Sequence, residues 1–417
     1  MPAAIATPPV LVSHLPEQLR HADYTAVHAW ATEHPADFWE AVWEATTPHH
    51  ARTYALARLG KRWFIGSKIN LAAQVLEQGE WAGTALLFRN ELIEEPIPFS
   101  RSEQYAQVAG MAAYLRDQRI GKGDKVGVYL PVTPEALFAV YAIWSIGAEV
   151  IFQGIRTAAA TAAQTFAAAK IELLIAADGY RHAGKPVDRM PELEALQQAQ
   201  PKLRRTVLFA YLNPDARWDR LCDTVMWLHT FNAAATTLDY RYVGFNHDAW
   251  QSGTDDGHNF EQGGFLLTAL KYGLDFGVQP EQICLMGADT EAGRLLWAIR
   301  VQLCGGVPVL YDGAPDYPNA YVAWKMAKAA KAERVQLPAE SLHVAEVELT
   351  SYQPLDSMRQ LILTGAVSPA TQEWVKRELP DVELHRIIWD DDRGQVSDWQ
   401  AAAQTLLTGH RGDTPLE

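Results

Sequence analysis

From Ala85 to Trp389, short apolar runs alternate with helical stretches, and no other feature of the sequence constrains the fold as tightly. The runs Ala85–Phe88, Lys125–Leu130, Val150–Phe152, Ile171–Ala176 and Arg205–Ala210 lack the polar alternation of a half-exposed strand. Strands covered on both faces read this way. Helical stretches separate them. Ser102 is expected to cap a helix whose apolar side is Tyr105, Val108, Ala109, Ala112 and Leu115, and Pro134 to open the apolar helix Glu135–Ile146. Helices are also expected at Thr157–Ala169 and Arg217–Thr230. The second half repeats the pattern, with strands at Ile283–Met286, Val307–Leu310, Arg334–Leu337, Gln360–Thr364 and Leu384–Trp389. Helices Thr290–Leu303, Asn319–Lys331 and Pro369–Leu379 fall between them. This order predicts an α/β fold of two similar halves, each a parallel sheet with helices on both faces.

The expected organisation has four parts. Residues 1–60 form a Pro-rich tail and a helical segment from Leu15 to Leu59, and 61–230 a first α/β subdomain. Residues 231–395 form a second subdomain, and 396–417 a C-terminal helix and tail. The stretch Phe231–Gly264, rich in Asn, Asp, Gly and His, reads as irregular loop of the kind that borders a ligand site in open α/β folds.

Charge narrows the function. Fifty acidic against 36 basic residues give a net charge of −14, with no basic cluster, which disfavours nucleic acid as a partner. Cys222, Cys284 and Cys304 are widely spaced and form no CxxC pair, so three core thiols in a reducing compartment are expected. The longest uncharged apolar stretch, between Glu135 and Glu149, is shorter than the roughly 20 residues of a membrane span. With no basic stretch ahead of Arg20, a cytoplasmic location is expected.

Six ordered blocks, Ala36–Glu44, Lys61–Glu77, Ile120–Val150, Ile171–Asp188, Gly305–Pro318 and Met358–Leu379, resemble the adenylate-forming (AMP-binding) acyl-CoA synthetases, on the acetoacetyl-CoA synthetase-like branch. KRWFIGSKINLAAQVLE (Lys61–Glu77) is similar to the family's WFPGAKLNYAENLL, and ADFWEAVWE (Ala36–Glu44) to the helix before it. Ile120–Val150 resembles the KGDRVAVYLPN-PE run, and Ile171–Asp188 the LIAVDGYRYNGK segment. GGVPVLYDGAPDYP (Gly305–Pro318) is similar to GATLVLYDGSP, and Met358–Leu379, which includes Gly365, to the LR-ISTGSPLSPE-FEWV block. The resemblance implies the family's large N-terminal region, which holds ATP and a carboxylate. After Arg393 the chain is too short for the family's small C-terminal domain and its catalytic lysine, so a truncated scaffold is expected.

The catalytic motifs depart from the family pattern. Its phosphate loop, SSGTTGxPK, holds the β- and γ-phosphates with hydroxyls, backbone N–H groups and a lysine. The matching stretch is WQSGTDDGHNFEQGG (Trp250–Gly264). Ser252, Gly253 and Thr254 are kept, Asp255 and Asp256 replace a Thr and a Gly ahead of Gly257, and His258 and Asn259 replace Pro–Lys. A carboxylate ~4 Å from a phosphate charge costs ~1 kcal/mol at the dielectric of water and ~4 kcal/mol at an effective value of 20. In MGADTEAGRLLWAI (Met286–Ile299), Asp289 is expected as N-cap and Glu291 in the first turn, where the family has TTTGWMMW. IIWDDDRG (Ile387–Gly394) stands for the adenine loop GGTD, with Trp389 where adenine needs room and Asp390 or Asp391 as the retained acid.

The cleft candidates are therefore Asp289, Glu291, Gly365, Trp389, Asp390 and Asp391. No bound metal or nucleotide cofactor is expected. The favoured expectation is a pseudoenzyme that binds a small acyl or carboxylate ligand, a protein of the same pathway or a second copy of itself. A repurposed enzyme with His258 as base beside Asp255 and Asp256, and a split ligase completed by another chain, are the alternatives.

Overall fold

Two seven-stranded sheets of the same design organise the chain. In the first, the strands run in the order Thr224–Met226, Arg205–Phe209, Leu173–Ala177, Lys125–Leu130, Glu149–Gly154, Asp248–Ser252 and Asn259–Glu261. In the second the order is Glu383–Ile387, Gln360–Thr364, Arg334–Pro338, Ile283–Met286, Val307–Asp312, Thr84–Asn90 and Ile97–Ser100. Every neighbouring pair is parallel except the last in each, where Asn259–Glu261 and Ile97–Ser100 close an edge antiparallel. The structure is a computed structural model and describes residues 15–20, 24–46, 50–59, 62–230, 237–253, 259–276, 278–287, 290–319, 321–339, 342, 356–364 and 368–387.

The sheets draw segments from both sides of residue 230. Thr84–Asn90 and Ile97–Ser100 belong to the second sheet, and Asp248–Ser252 and Asn259–Glu261 to the first. Each sheet thus takes its antiparallel edge pair from the other half of the chain.

Helices fill the space between the sheets. Pro134–Ser145 carries apolar side chains all round and is buried along nearly its whole length, as such a helix must be. Glu291–Leu303 packs against it and touches both Glu149–Gly154 of the first sheet and Val307–Asp312 of the second. Gln302 on this helix is 1% exposed, and its amide donates to Ala85 O and Gln104 Oε1, each at 2.9 Å. Gln302 also accepts from the Tyr141 hydroxyl. A buried amide satisfied on all sides holds one helix to both halves; left unpaired it would cost about 1–3 kcal/mol.

Several sequence expectations need correction. The helix expected from a Ser102 cap begins at Arg101 and is capped by Ser100, whose Oγ accepts the Glu103 N–H at 3.2 Å while the Glu103 carboxylate accepts the Ser100 N–H at 2.7 Å. That reciprocal box is available only to the residue three places before the glutamate. Arg217–Thr230 is a strand, Thr224–Met226, followed by a short helix, Trp227–Thr230, because β-branched Thr224 and Val225 pair onto the sheet edge. Leu15–Leu59 holds helices Tyr24–Glu33 and Pro35–Thr46, but Leu56–Leu59 pairs as a hairpin with Arg62–Ile65. Phe231–Gly264 contains two strands of the first sheet, and the helix Gln262–Phe276 follows them. Cys222 is exposed rather than a core thiol, whereas burial pushes the Cys284 and Cys304 thiols up to about 12.

The capping geometry gives a stability prediction. Ser100→Ala is expected to lower the unfolding free energy by about 1 kcal/mol, with Ser102→Ala within about 0.5 kcal/mol of the parent. Urea denaturation followed by circular dichroism reads both.

Candidate functional site

In each sheet the chain reverses direction beside a central strand. From Lys125–Leu130 it passes to Glu149–Gly154 on one side and then to Leu173–Ala177 on the other. From Ile283–Met286 it passes to Val307–Asp312 and then to Arg334–Pro338 on the opposite side. Loops diverge at such points and leave a crevice outside the carboxyl ends of the strands, where open α/β proteins hold their ligands. Arg156 follows the first sheet's switch strand, Glu291 opens the helix after Ile283–Met286, and Asp312 ends Val307–Asp312. The three meet across the crevice.

Arg156 serves both acids. Its Nη1 donates to Glu291 Oε1 at 2.9 Å, its backbone N–H to Glu291 Oε2 at 3.0 Å, and its Nη2 to Asp312 Oδ1 at 2.9 Å. Asp312 is fully buried and Glu291 is 9% exposed. The Tyr211 hydroxyl donates to Asp312 Oδ2 at 2.9 Å, and Asn90 Nδ2 donates to that hydroxyl at 3.2 Å. Asp178 in turn accepts the backbone N–H groups of Tyr211, Leu212 and Asn213, each at 2.8 Å, and so fixes the turn that presents Tyr211. The guanidinium of Arg156 lies 4.9 Å over the Tyr180 ring, a cation–π distance.

The electrostatics follow from burial. Desolvation raises the Glu291 and Asp312 carboxyls above their ordinary values, and Arg156 only partly offsets it. Burial works against the charge on Arg156 too, but Asp312 and Glu291 outweigh it and its pKa is raised. A second bridge stands nearby. Glu91, just past the end of Thr84–Asn90, accepts from Ala183 N and Gly184 N, in the turn of the hairpin Gly179–Asp188, at 2.9 and 2.8 Å. It also accepts from Ala314 N at 2.9 Å.

Beside this cluster, Asp248–Ser252 lies parallel to Glu149–Gly154, with Ser252 opposite Phe152. Ser252 is buried, and Gly253 follows it with the Gln153 side chain in the volume that a Cβ would need. Gln153 is 4% exposed and its Nε2 finds no hydrogen-bond partner among the described residues.

Comparison with known proteins agrees with this layout. The AMP-binding enzyme family matches residues 83–221. The acetoacetyl-CoA synthetase of Macaca fascicularis is 27% identical over 327 residues, covering 73% of this chain and 48% of that protein. That of Xenopus tropicalis is 25% identical over 388 residues, covering 87% of this chain and 57% of that protein. The structure of acetoacetyl-CoA synthetase from Streptomyces lividans superposes with a TM-score of 0.82 at 25% identity, over 94% of this chain and 65% of that one. In sequence and in fold the chain is similar to these acetoacetyl-CoA synthetases. It spans about half the length of the relatives it matches.

Three of the residues singled out in the sequence are placed in this synthetase-like chain: Ser252 and Gly253 at a strand end, and Glu291 in the cluster. The cap of the Glu291 helix is Thr290, whose Oγ1 accepts the Gly293 N–H at 3.0 Å. Asp289, Thr254, Asp255, Asp256, Gly257, His258, Gly365, Trp389, Asp390 and Asp391 lie outside the described residues. Arg156, Asp312, Tyr211, Asn90 and Gln153 were not anticipated. One signal was available: a charged residue just past or at the end of an apolar strand, as in IFQGIR and VPVLYD. No helix among the described residues is long and apolar enough to cross a membrane.

Removing the shared cation has a defined sign. Arg156→Ala leaves two buried acids without their shared cation, and a loss of about 3–5 kcal/mol is expected at pH 7. The loss shrinks as the pH falls and those acids, raised by burial, take up protons. Glu291→Gln acts in the opposite sense. A folded-state pKa raised above the unfolded one lends stability that is present at low pH and lost as pH rises through it. The stability of Glu291→Gln relative to the parent is therefore expected to improve from pH 4 to pH 7 in urea titrations.

Proposed function

We propose that this acyl-CoA synthetase-like chain does not carry out ATP-dependent acyl-CoA ligation and acts by binding, with a small acyl or carboxylate compound as its target. One observation carries the reading: Asp255 and Asp256 stand where the family's phosphate loop has a Thr and a Gly, and His258–Asn259 stands where it has Pro–Lys. The strand Asp248–Ser252 leads into that loop from the carboxyl edge of the first sheet, beside the switch strand. Negative charge there opposes a triphosphate by ~1–4 kcal/mol for each carboxylate at ~4 Å. Glu291, one strand away over Gly154, adds a buried acid to the same crevice. On this reading no nucleotide or metal cofactor is held.

The test is direct. With Mg·ATP and acetoacetate, acetate or another short acid, the purified chain is expected to release no pyrophosphate or AMP above background. Calorimetry is expected to show no Mg·ATP binding by the parent chain and, in the double variant D255T/D256G, binding at least tenfold tighter than the parent's detection limit, since tenfold corresponds to about 1.4 kcal/mol, within reach of removing two acids. Substrate-dependent pyrophosphate release by the parent chain would overturn the proposal.

A further inference from the structure

We infer that Gly154 and Arg156 form a receptor for a small carboxylate, and that the chain keeps this receptor filled with its own Glu291. The inference takes its ligand class from the proposed function, while the geometry of the seat stands by itself.

Each oxygen of the Glu291 carboxylate meets its own donor on Arg156: Oε1 the guanidinium Nη1 at 2.9 Å, Oε2 the backbone N–H at 3.0 Å. A free carboxylate is bound in the same way, through a pair of charge-assisted donors that match its two oxygens. The floor of the seat is Gly154. A Cβ at that position would collide with Glu291 Oε2 and its carboxyl carbon, so the seat exists because residue 154 has no side chain. The receptor also holds more donors than its occupant uses, since Arg156 Nε is buried and finds no hydrogen-bond partner among the described residues.

The receptor does not depend on Glu291 for its shape. Asp312 holds Nη2 at 2.9 Å, the Arg181 carbonyl accepts from the same nitrogen at 3.4 Å, and the Tyr180 ring lies 4.9 Å under the guanidinium. With Glu291 gone, these contacts keep Arg156 in place. Glu291 itself is tethered as the first residue of a buried helix. A tethered group competes at a high effective concentration, so an external acid is excluded while Glu291 is present. Glu291 thus acts as a built-in competitor at the junction of both switch points. It is a positioning and gating residue, with no contact to reacting atoms.

Acetate is the probe, titrated into the full chain by calorimetry and by saturation-transfer NMR. Glu291→Gly empties the seat and is expected to bind acetate at least tenfold more tightly than the parent. Glu291→Gln keeps the shape of the occupant without its charge and is expected to bind no better than the parent. In E291G/G154A a methyl group refills the seat, and the gain is expected to vanish. A folded Glu291→Gly that binds acetate no more tightly than the parent would overturn the inference. So would equal gains in Glu291→Gln or in E291G/G154A, which would mark a loss of negative charge rather than an emptied seat. Should Glu291→Gly be marginally stable, its thermal midpoint in acetate against chloride at matched ionic strength reads the same seat: a rise specific to acetate supports it, and equal midpoints overturn it. Pyrophosphate release by the parent bears on the proposed function alone, so the two ideas fail separately.

Discussion

A single guanidinium answers two buried carboxylates that come from the other sheet. Arg156 follows a strand of the first sheet, while Glu291 opens a helix between two strands of the second and Asp312 ends one of them. Burying three charges is unfavourable unless every one finds its partners. The two sheets are therefore held in the one relation that satisfies all three. Apolar area supplies most of the cohesion here, as in any domain of this size, but it is non-directional and tolerates sliding. The ion pairs tolerate much less, because an error of about an ångström leaves a charge unpaired. Tyr211, Asn90 and the turn anchored by Asp178 extend this directional set along the crevice.

The same location explains why these charges bear on function. The segments that follow the switch strands of both sheets meet at Arg156, Glu291 and Asp312. Asp255 and Asp256 follow the strand beside this cluster. Glu291 sits over Gly154 on the neighbouring strand. On the proposed reading, these side chains suit a small carboxylate, once the internal one gives way, better than a nucleotide triphosphate. The proposed function and the proposed receptor draw on the same electrostatic setting, but the first depends on the loop and the second on the Gly154–Arg156 turn.

How much was legible depended on how local each signal was. Lys125–Leu130, Ile283–Met286 and Gln360–Thr364 match their expected bounds, because a short apolar run flanked by glycine or charge has few alternatives. Ser102 is a good capping residue by type, but the cap falls at Ser100 because only Ser100 can make the reciprocal bond with Glu103, a matter of geometry. Thr224–Met226 was absorbed into a helix because three residues show no period of their own, and its strand character comes from the neighbour it pairs with. In the site, Glu291 was visible as an acid in a first helical turn. Arg156 passed unnoticed, since one arginine after a strand is ordinary until its partners are known.

The pattern of apolar runs, the turns between them and the family likeness were settled by short-range order along the chain, where spacing of a few residues decides between strand and helix. The pairing of Arg156 with residues 135 and 156 positions away was decided only in three dimensions. So was the recruitment of Thr84–Asn90 and Asp248–Ser252 into sheets belonging to the opposite half of the chain. The reason is physical. A strand's identity follows from its own side chains, but its neighbour, and the ion pair that a charge at its end will make, follow from which buried surfaces and charges the whole chain can satisfy together.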